Sequence, residues 1–415
     1  MRDMRDSGIA WVGAIPSDWK VKRGKFTLKL LNRPLDETDE VITCFRDGEV
    51  TLRKNRREDG FTVSLKEIGY QGIEPGDLVV HGMDGFAGAI GISDSRGKSS
   101  PVLVVCDSKE NKKYIMYYLR AMAYNNVFTA LSTGIRVRSC DLRWNKLAEL
   151  PYILPCAEEQ SSIVNAIENA TQKIDVLKAN VLLQIEKLKA YKQSLITEVV
   201  TKGLDPTVPM KDSGVEWIGE IPEQWDTIRV KHLLRERKER SVDGSEEPLS
   251  MSQKLGLVPT KMLDTIPNMA SSFVGAKLTY VDDLVFNKLK AHLGVFSVSK
   301  YDGLVSPDYA VYYSTGKVHL KYLEYLFKTP QCISEFRKRS TGIAAGLTRL
   351  YTDGLFAIEC PFPAMEEQIA IVDYLNEKCS QIDRLIAIKQ AKIEKLEQYK
   401  KSLIYEYVTG KKEVL

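Results

Sequence analysis

The sequence predicts an α+β protein: two homologous mixed α/β domains separated by two long antiparallel coiled-coil helices, related by a pseudo-twofold internal repeat. Three observations predict it. The 415-residue chain repeats itself in order, Asp6 to Trp19 (DSGIAWVGAIPSDW) returning as Asp212 to Trp225 (DSGVEWIGEIPEQW). Each half closes on a long proline-free stretch, 157–200 and 365–408, with an apolar stripe. The copies agree at their openings and in their last thirds, and diverge across 30–75 and 236–280. Shared supports with different middles suit one task performed on two targets.

The repeat is collinear. Gly76-Asp-Leu-Val79 aligns with Asp282-Asp-Leu-Val285, Ser100-Pro101 with Ser306-Pro307, and Ser132-Thr-Gly-Ile135 with Ser340-Thr-Gly-Ile343. Glu158-Glu-Gln160 aligns with Glu366-Glu-Gln368, and Tyr191-Lys192 with Tyr399-Lys400. Each half opens on a segment ending in Ile-Pro and Trp; Pro16 and Pro222 stop helices, and Trp11, Trp19, Trp217 and Trp225 are candidate packing anchors. Residues 76–81, 86–93, 282–287 and 294–299 read as strands from their apolar runs. Gly82, Gly85, Gly88 and Gly91 punctuate a turn between strands. Residues 111–124 and 318–329 have helical spacing.

In the closing stretches Ile163, Ile167, Ile174, Leu177, Ile185 and Leu188 recur at three-, four- and seven-residue steps, as do Ile371, Leu375, Ile382, Leu385, Ile393 and Leu396. A helix of that length carrying an apolar stripe needs a partner, and the other copy is the obvious one. Asn169-Ala-Thr171 and Lys378-Cys-Ser380 are candidate breaks. The expected boundaries are 1–155 and 204–363 for the two mixed domains, and 156–203 and 364–415 for the helices, with Pro206 and Pro209 in the linker.

Composition narrows the function. With 44% hydrophobic and 27% charged residues the chain can bury a core and is not a low-complexity polymer. No apolar run approaches a membrane span, and the opening MRDMRDSG lacks the apolar core of a secretory signal, so the expected compartment is the cytoplasm, with no membrane partner. A net charge of +4 is mild for a polyanion binder, so any nucleic-acid contact is local or shared with other subunits. Seven scattered cysteines without a CxxC pair read as reduced core thiols.

Catalytic chemistry is not legible. Gly97-Lys98-Ser99 lacks the P-loop glycine five positions earlier, where Ile92 stands. His81, His232, His292 and His319 are far apart and read as ordinary core or surface residues. Asp282-Asp283 matches Gly76-Asp77 and reads as a turn rather than a metal pair. The expectation is no catalytic residue, no metal and no cofactor.

At this point the pattern resembles the specificity subunit of type I restriction–modification systems, over essentially the full length. The resemblance rests on the doubled W-x-G-x-I-P-x-x-W segment, the S-T-G-I element and P-x-x-E-E-Q leading into each long helix. It also rests on the endings Ile174-Asp-Val-Leu177 with Tyr191 to Thr201, and Ile382-Asp-Arg-Leu385 with Tyr399 to Thr409. It implies a non-enzymatic subunit with two target recognition domains, each reading one half of a bipartite, asymmetric site on double-stranded DNA. It further implies that the helices are a spacer on which two methyltransferase subunits dock, and that restriction/translocase subunits complete the complex.

Candidate DNA contacts combine cations with hydroxyls and exposed backbone, which suit phosphates and guanine edges. The first group is Ser132, Thr133, Gly134, Arg136 and Arg138, with its counterpart Arg337, Arg339, Ser340, Thr341, Gly342, Thr348 and Arg349. The second is Arg53, Lys54, Arg56 and Arg57 in the divergent part of the first half, near Arg46 and offset by Asp47, Glu49, Glu58 and Asp59. The third is Lys288 and Lys290 after a predicted strand. The flank Arg229 to Arg240 reads equally as a solvated face. Two other function classes compete: a scaffold whose two heads bind proteins, and an unrecognised nuclease or transferase.

Overall fold

The computed structural model describes residues 2–36, 38–56, 67–130, 142–253, 255–265, 272–342 and 348–414. The chain falls into two compact units, Met1–Leu182 with Gln390–Leu415, and Leu183–Lys389. Each unit therefore joins a mixed globular part to portions of both long helices.

In the first unit a four-stranded antiparallel sheet runs in the order Leu28–Leu30, Leu103–Ser108, Leu78–His81, Ile90–Ile92. Its apolar residues, among them Leu78, Val80, Ile90 and Cys106, are buried against the helix Lys112–Tyr124. That helix starts where Asn111 accepts hydrogen bonds from the backbone N–H groups of Lys113 and Tyr114, satisfying two otherwise unpaired donors. A hairpin, Ile42–Cys44 with Val50–Leu52, packs on the other side of the sheet around Val79 and Val105. The second unit has the same strand order at the offset positions: Leu234–Glu236, Tyr309–Ser314, Leu284–Asn287, Phe296–Val298. Its hairpin is Leu249–Ser252 with Gly256–Pro259. Here Phe286 and Phe296 stand where the first unit has Val80 and Ile90, and they stack at 4.5 Å beside Phe327 and Phe336.

The strand expected at 86–93 begins later. Gly85–Ala87 forms a short 3-10 turn, closed by Gly88 at φ +97°, a left-handed conformation that a side chain disfavours. The second unit does the same with Ala291–Leu293 and Gly294. The turn expected at Asp282-Asp283 is present: Asp282 has φ +67° where Gly76 has φ +87°.

The residues that repeat most faithfully hold these parts together. The Trp19 indole N–H donates to Glu159 at 3.0 Å, and that of Trp225 to Glu367 at 2.8 Å. Buried Gln160 accepts from the Asn111 N–H at 2.9 Å and donates to the Pro155 carbonyl at 3.0 Å; Gln368 accepts from the His319 N–H at 2.8 Å and donates to the Pro363 carbonyl at 2.9 Å. The Tyr114 hydroxyl donates to the carbonyls of Ile153 and Val408, and that of Tyr322 to those of Val200 and Pro361. P-x-x-E-E-Q is thus a joint between the opening segment, the domain helix and the long helix.

The long helices run Ala157–Lys202 and Met365–Val408. Neither candidate break occurs: Thr171 turns its hydroxyl back onto the Glu168 carbonyl at 3.2 Å, and both Thr171 and Cys379 face inward. Within the first unit Lys178 pairs with Glu397, and Lys400 with Asp175 at 2.8 Å. Within the second, Lys192 pairs with Asp383 at 2.6 Å, and Lys389 donates to Gln184 at 2.6 Å. As one number rises its partner's falls, so the pairing inside each unit is antiparallel. Among the described residues no helix is long and apolar enough to cross a membrane. Six described cysteines are unpaired thiols; five are buried, while Cys156, just before the long helix, is exposed.

Candidate nucleic-acid interface

In the second unit the structure gathers the predicted residues. The helix Pro330–Arg339 begins at Thr329, whose hydroxyl accepts from the Cys332 N–H, and Pro330 fits the first turn, where no donor is needed. This helix packs on the turn Ala291–Leu293, which Lys290 immediately precedes. Its last turn presents Arg337, Lys338 and Arg339 to solvent. Ser340 closes it by donating to the Phe336 carbonyl at 2.6 Å. Thr341 and Arg349 then pair by two backbone hydrogen bonds of 3.0 and 2.8 Å, making Thr341–Gly342 and Thr348–Arg349 the two arms of one loop. The Leu350 N–H donates to the Lys288 carbonyl at 3.0 Å, which ties that loop to the Lys288–Lys290 turn.

The charges there differ in freedom. Arg339 lies 3.6 Å from Glu335, and Arg349 3.6 Å from Asp308. The ammonium groups of Lys288 and Lys290 have no ion-pair partner among the described residues. Cations that are not already neutralised are the ones able to release counterions from a polyanion.

In the first unit, Ser132, Thr133, Gly134, Arg136 and Arg138 lie outside the described residues, as does Arg57. Just beyond that element the Leu142 N–H donates to the Gly82 carbonyl at 2.9 Å, the counterpart of the Leu350–Lys288 bond. The remaining cations are largely compensated. Lys54 meets Glu40 at 2.5 Å, and Arg56 meets Asp47 at 2.8 Å and Glu49 at 3.2 Å while lying over the Phe45 ring at 4.2 Å. Arg53 donates to the Thr43 hydroxyl at 3.4 Å. Arg53 and Arg56, but not Lys54, line a cleft of about 710 Å³ together with Phe45, Arg46, His81 and Asp84. The Arg53 N–H bonds the Val41 carbonyl, just as the Thr260 N–H bonds that of Pro248, so the two residues occupy one place in the fold. Thr260 lines a cavity of about 410 Å³ in the second unit, with Ser250, Phe273, Ser306 and Tyr309. The same place is cationic in one unit and hydroxylic and apolar in the other.

From the sequence His81 reads as an ordinary core or surface histidine, and its place in this cleft is not foreseen. Its Nδ1 accepts from the backbone N–H groups of Met83 and Asp84 at 3.3 and 3.0 Å. Burial holds the ring below the ordinary histidine range; Asp84 opposes that shift and Arg46 adds to it. The only signal was positional: His81 stands where the second copy has Asn287, whose side chain likewise accepts from the following turn, at Leu289. The pairing of buried Asp77 with half-buried Arg33, and of buried Asp283 with half-buried Arg237, was also not legible in the sequence, because each arginine lies in a divergent segment.

No family model matches the chain. It is 24% identical over 427 residues to the putative type I restriction enzyme MjaX specificity subunit of Methanocaldococcus jannaschii, covering 96% of this chain and 95% of that protein. It is 23% identical over 420 residues to the type I restriction enzyme MjaVIII specificity subunit of the same organism, covering 96% and 93%. Among solved structures it matches a chain from a study of complex assembly and conformational transition in a type I R-M system, with a TM-score of 0.70 at 14% identity over 95% of this chain and 98% of that one. It also matches the HsdS subunit of Thermoanaerobacter tengcongensis, with a TM-score of 0.52 at 15% identity over 95% and 98%. Along nearly its whole length in sequence, and in fold, the chain is similar to the specificity subunits of type I restriction–modification systems.

Proposed function

We propose that the chain is the non-catalytic DNA sequence-specificity subunit of a type I restriction–modification complex, reading a bipartite, asymmetric target on double-stranded DNA. Residues 1–155 and 204–363 are the two target recognition domains, one per half-site. Residues 156–203 and 364–415 are the spacer on which two methyltransferase subunits dock, with restriction/translocase subunits completing the complex. The observation that carries this reading is the similarity to curated specificity subunits over 96% of the chain. The change from Arg53 in one cavity to Thr260 at the same place in the other supports two different half-sites.

The contact surface in the second unit combines Lys288, Lys290 and Arg337 with the Ser340–Gly342 and Thr348–Arg349 arms. The cations take phosphates and so set register, while the hydroxyls and backbone around Gly342 approach base edges. In the first unit the candidate contacts are Arg53, Lys54, Arg56, Arg57 and the Ser132–Arg138 element, with Arg56 exchanging its carboxylate partners for phosphate.

The test is binding of the complex, purified with its methyltransferase subunits, to a pool of random duplexes at two salt concentrations. Enrichment of two short sequences at a fixed gap, weakening as salt rises, is expected. Binding that ignores base sequence points instead to a scaffold with protein-binding heads.

A further inference from the structure

His81 ends its strand inside the cleft of the first unit. A ring nitrogen that accepts two N–H groups, as Nδ1 does from Met83 and Asp84, carries no proton of its own. In the neutral ring the proton therefore sits on Nε2, and burial keeps the ring neutral at pH 7. Nε2–H has no hydrogen-bond partner among the described residues. The turn Asp84–Gly88 that holds Nδ1 is itself fixed by the Ala87 and Gly88 N–H bonds to Asp84 and Gly85. Ring orientation and tautomer are both set before any ligand arrives.

The walls of the cleft are similarly fixed. Arg46 is held by Asp84 at 2.8 Å and Arg56 by Asp47 at 2.8 Å. Three arginines and two aspartates line this cleft, with Glu49 beside Arg56. Arginines of this kind suit phosphates, a task to which a neutral imidazole adds little. What a neutral, pre-oriented N–H offers is direction, and in the major groove the acceptor common to both purines is N7. The equivalent place in the second unit carries Asn287, also tied to its own turn, so the position holds a fixed polar group of different shape in each unit.

Resting on the function proposed above, we propose that His81 is a specificity-determining residue of the first unit, its Nε2–H donating to a purine N7 in the half-site that this unit reads.

The experiment uses the complex assembled with its methyltransferase subunits. Its target is first mapped on unmodified DNA, and the half-site of the first unit is the one that changes when residues 30–140 are exchanged. Duplexes then carry 7-deazaguanine or 7-deazaadenine singly at each purine other than the methylated base, which removes N7 alone. We expect one position in the first half-site to slow methylation by the unaltered complex roughly five- to tenfold, the scale of one lost hydrogen bond. His81→Ala should be slower on ordinary DNA and indifferent to deazapurine at that position, while His81→Gln recovers part of the difference. Methylation by the unaltered complex that tolerates deazapurine throughout the first half-site overturns the inference, and it needs no variant to fold. An equal deazapurine penalty in His81→Ala, or a uniform loss with no positional sensitivity, overturns it too, the latter marking a phosphate contact. Failure of the proposed function is separately visible, as methylation without sequence preference on unmodified DNA, and takes this inference with it.

Discussion

Asp77 and Asp283 are nearly the least exposed carboxylates in their units, and each accepts both a forked arginine and a backbone N–H, from Glu74 at 2.8 Å and Tyr280 at 2.9 Å. Removing one partner of such a pair leaves a buried charge uncompensated, which costs more than the intact pair contributes. Arg237→Met is therefore expected to destabilise the chain by about 3 kcal/mol, and Arg237→Met with Asp283→Leu by less, both read from urea unfolding midpoints of the full chain. A single change costing under about 1 kcal/mol contradicts this placement. The thiols give a second check. Burial pushes Cys44 and Cys106 up to about 12, so both stay protonated and unreactive at pH 8, whereas Cys156 is exposed. Brief alkylation of the native chain at pH 8 should modify Cys156 and spare Cys44 and Cys106; equal labelling of all three is the contrary result.

At the scale of elements, the apolar stripes of the long helices outweigh their charged edges. Ile163 and Ile167 are almost fully buried in the first core, as are Ile371 and Leu375 in the second, whereas Lys400 and Asp175 remain solvated. Ile167→Ala should cost about 2–4 kcal/mol and Asp175→Ala under about 1 kcal/mol, compared by thermal or urea unfolding. A larger loss from Asp175→Ala reverses that ranking. The helices were legible because a stripe at helical spacing without proline has few other ways to fold, and the sheet because its strands are short apolar runs between glycines. The Gly85–Ala87 turn was not, since it begins apolar like a strand and only the φ of Gly88 shows that the chain bends first. P-x-x-E-E-Q was visible as a repeat, yet its role was not, because the groups it joins lie far apart in sequence: Trp19 with Glu159, and Asn111 with Gln160. For the same reason basic clusters could be found but not their pairing. That Arg56 is engaged by Asp47 and Glu49 while Lys288 and Lys290 are unpaired among the described residues depends on local geometry.

For the whole molecule, the proposed function gives recognition to the two mixed parts and spacing to the helices. Four residues inserted in each long helix add about 6 Å of helix, close to two base pairs. Such a complex should retain both half-site sequences and widen the gap between them, as methylation of a plasmid library with varied gaps would show. An unchanged gap, with helix extension verified by circular dichroism, contradicts the spacer assignment. The most direct measurement of the central claim is a genome-wide map of methylated bases in a cell expressing this chain with its methyltransferase subunits, against the same cell lacking it. One new motif made of two different short sequences at a fixed separation is expected, with exchange of residues 30–140 altering only one of them. A single uninterrupted motif, both halves changing together, or no new methylation would contradict it.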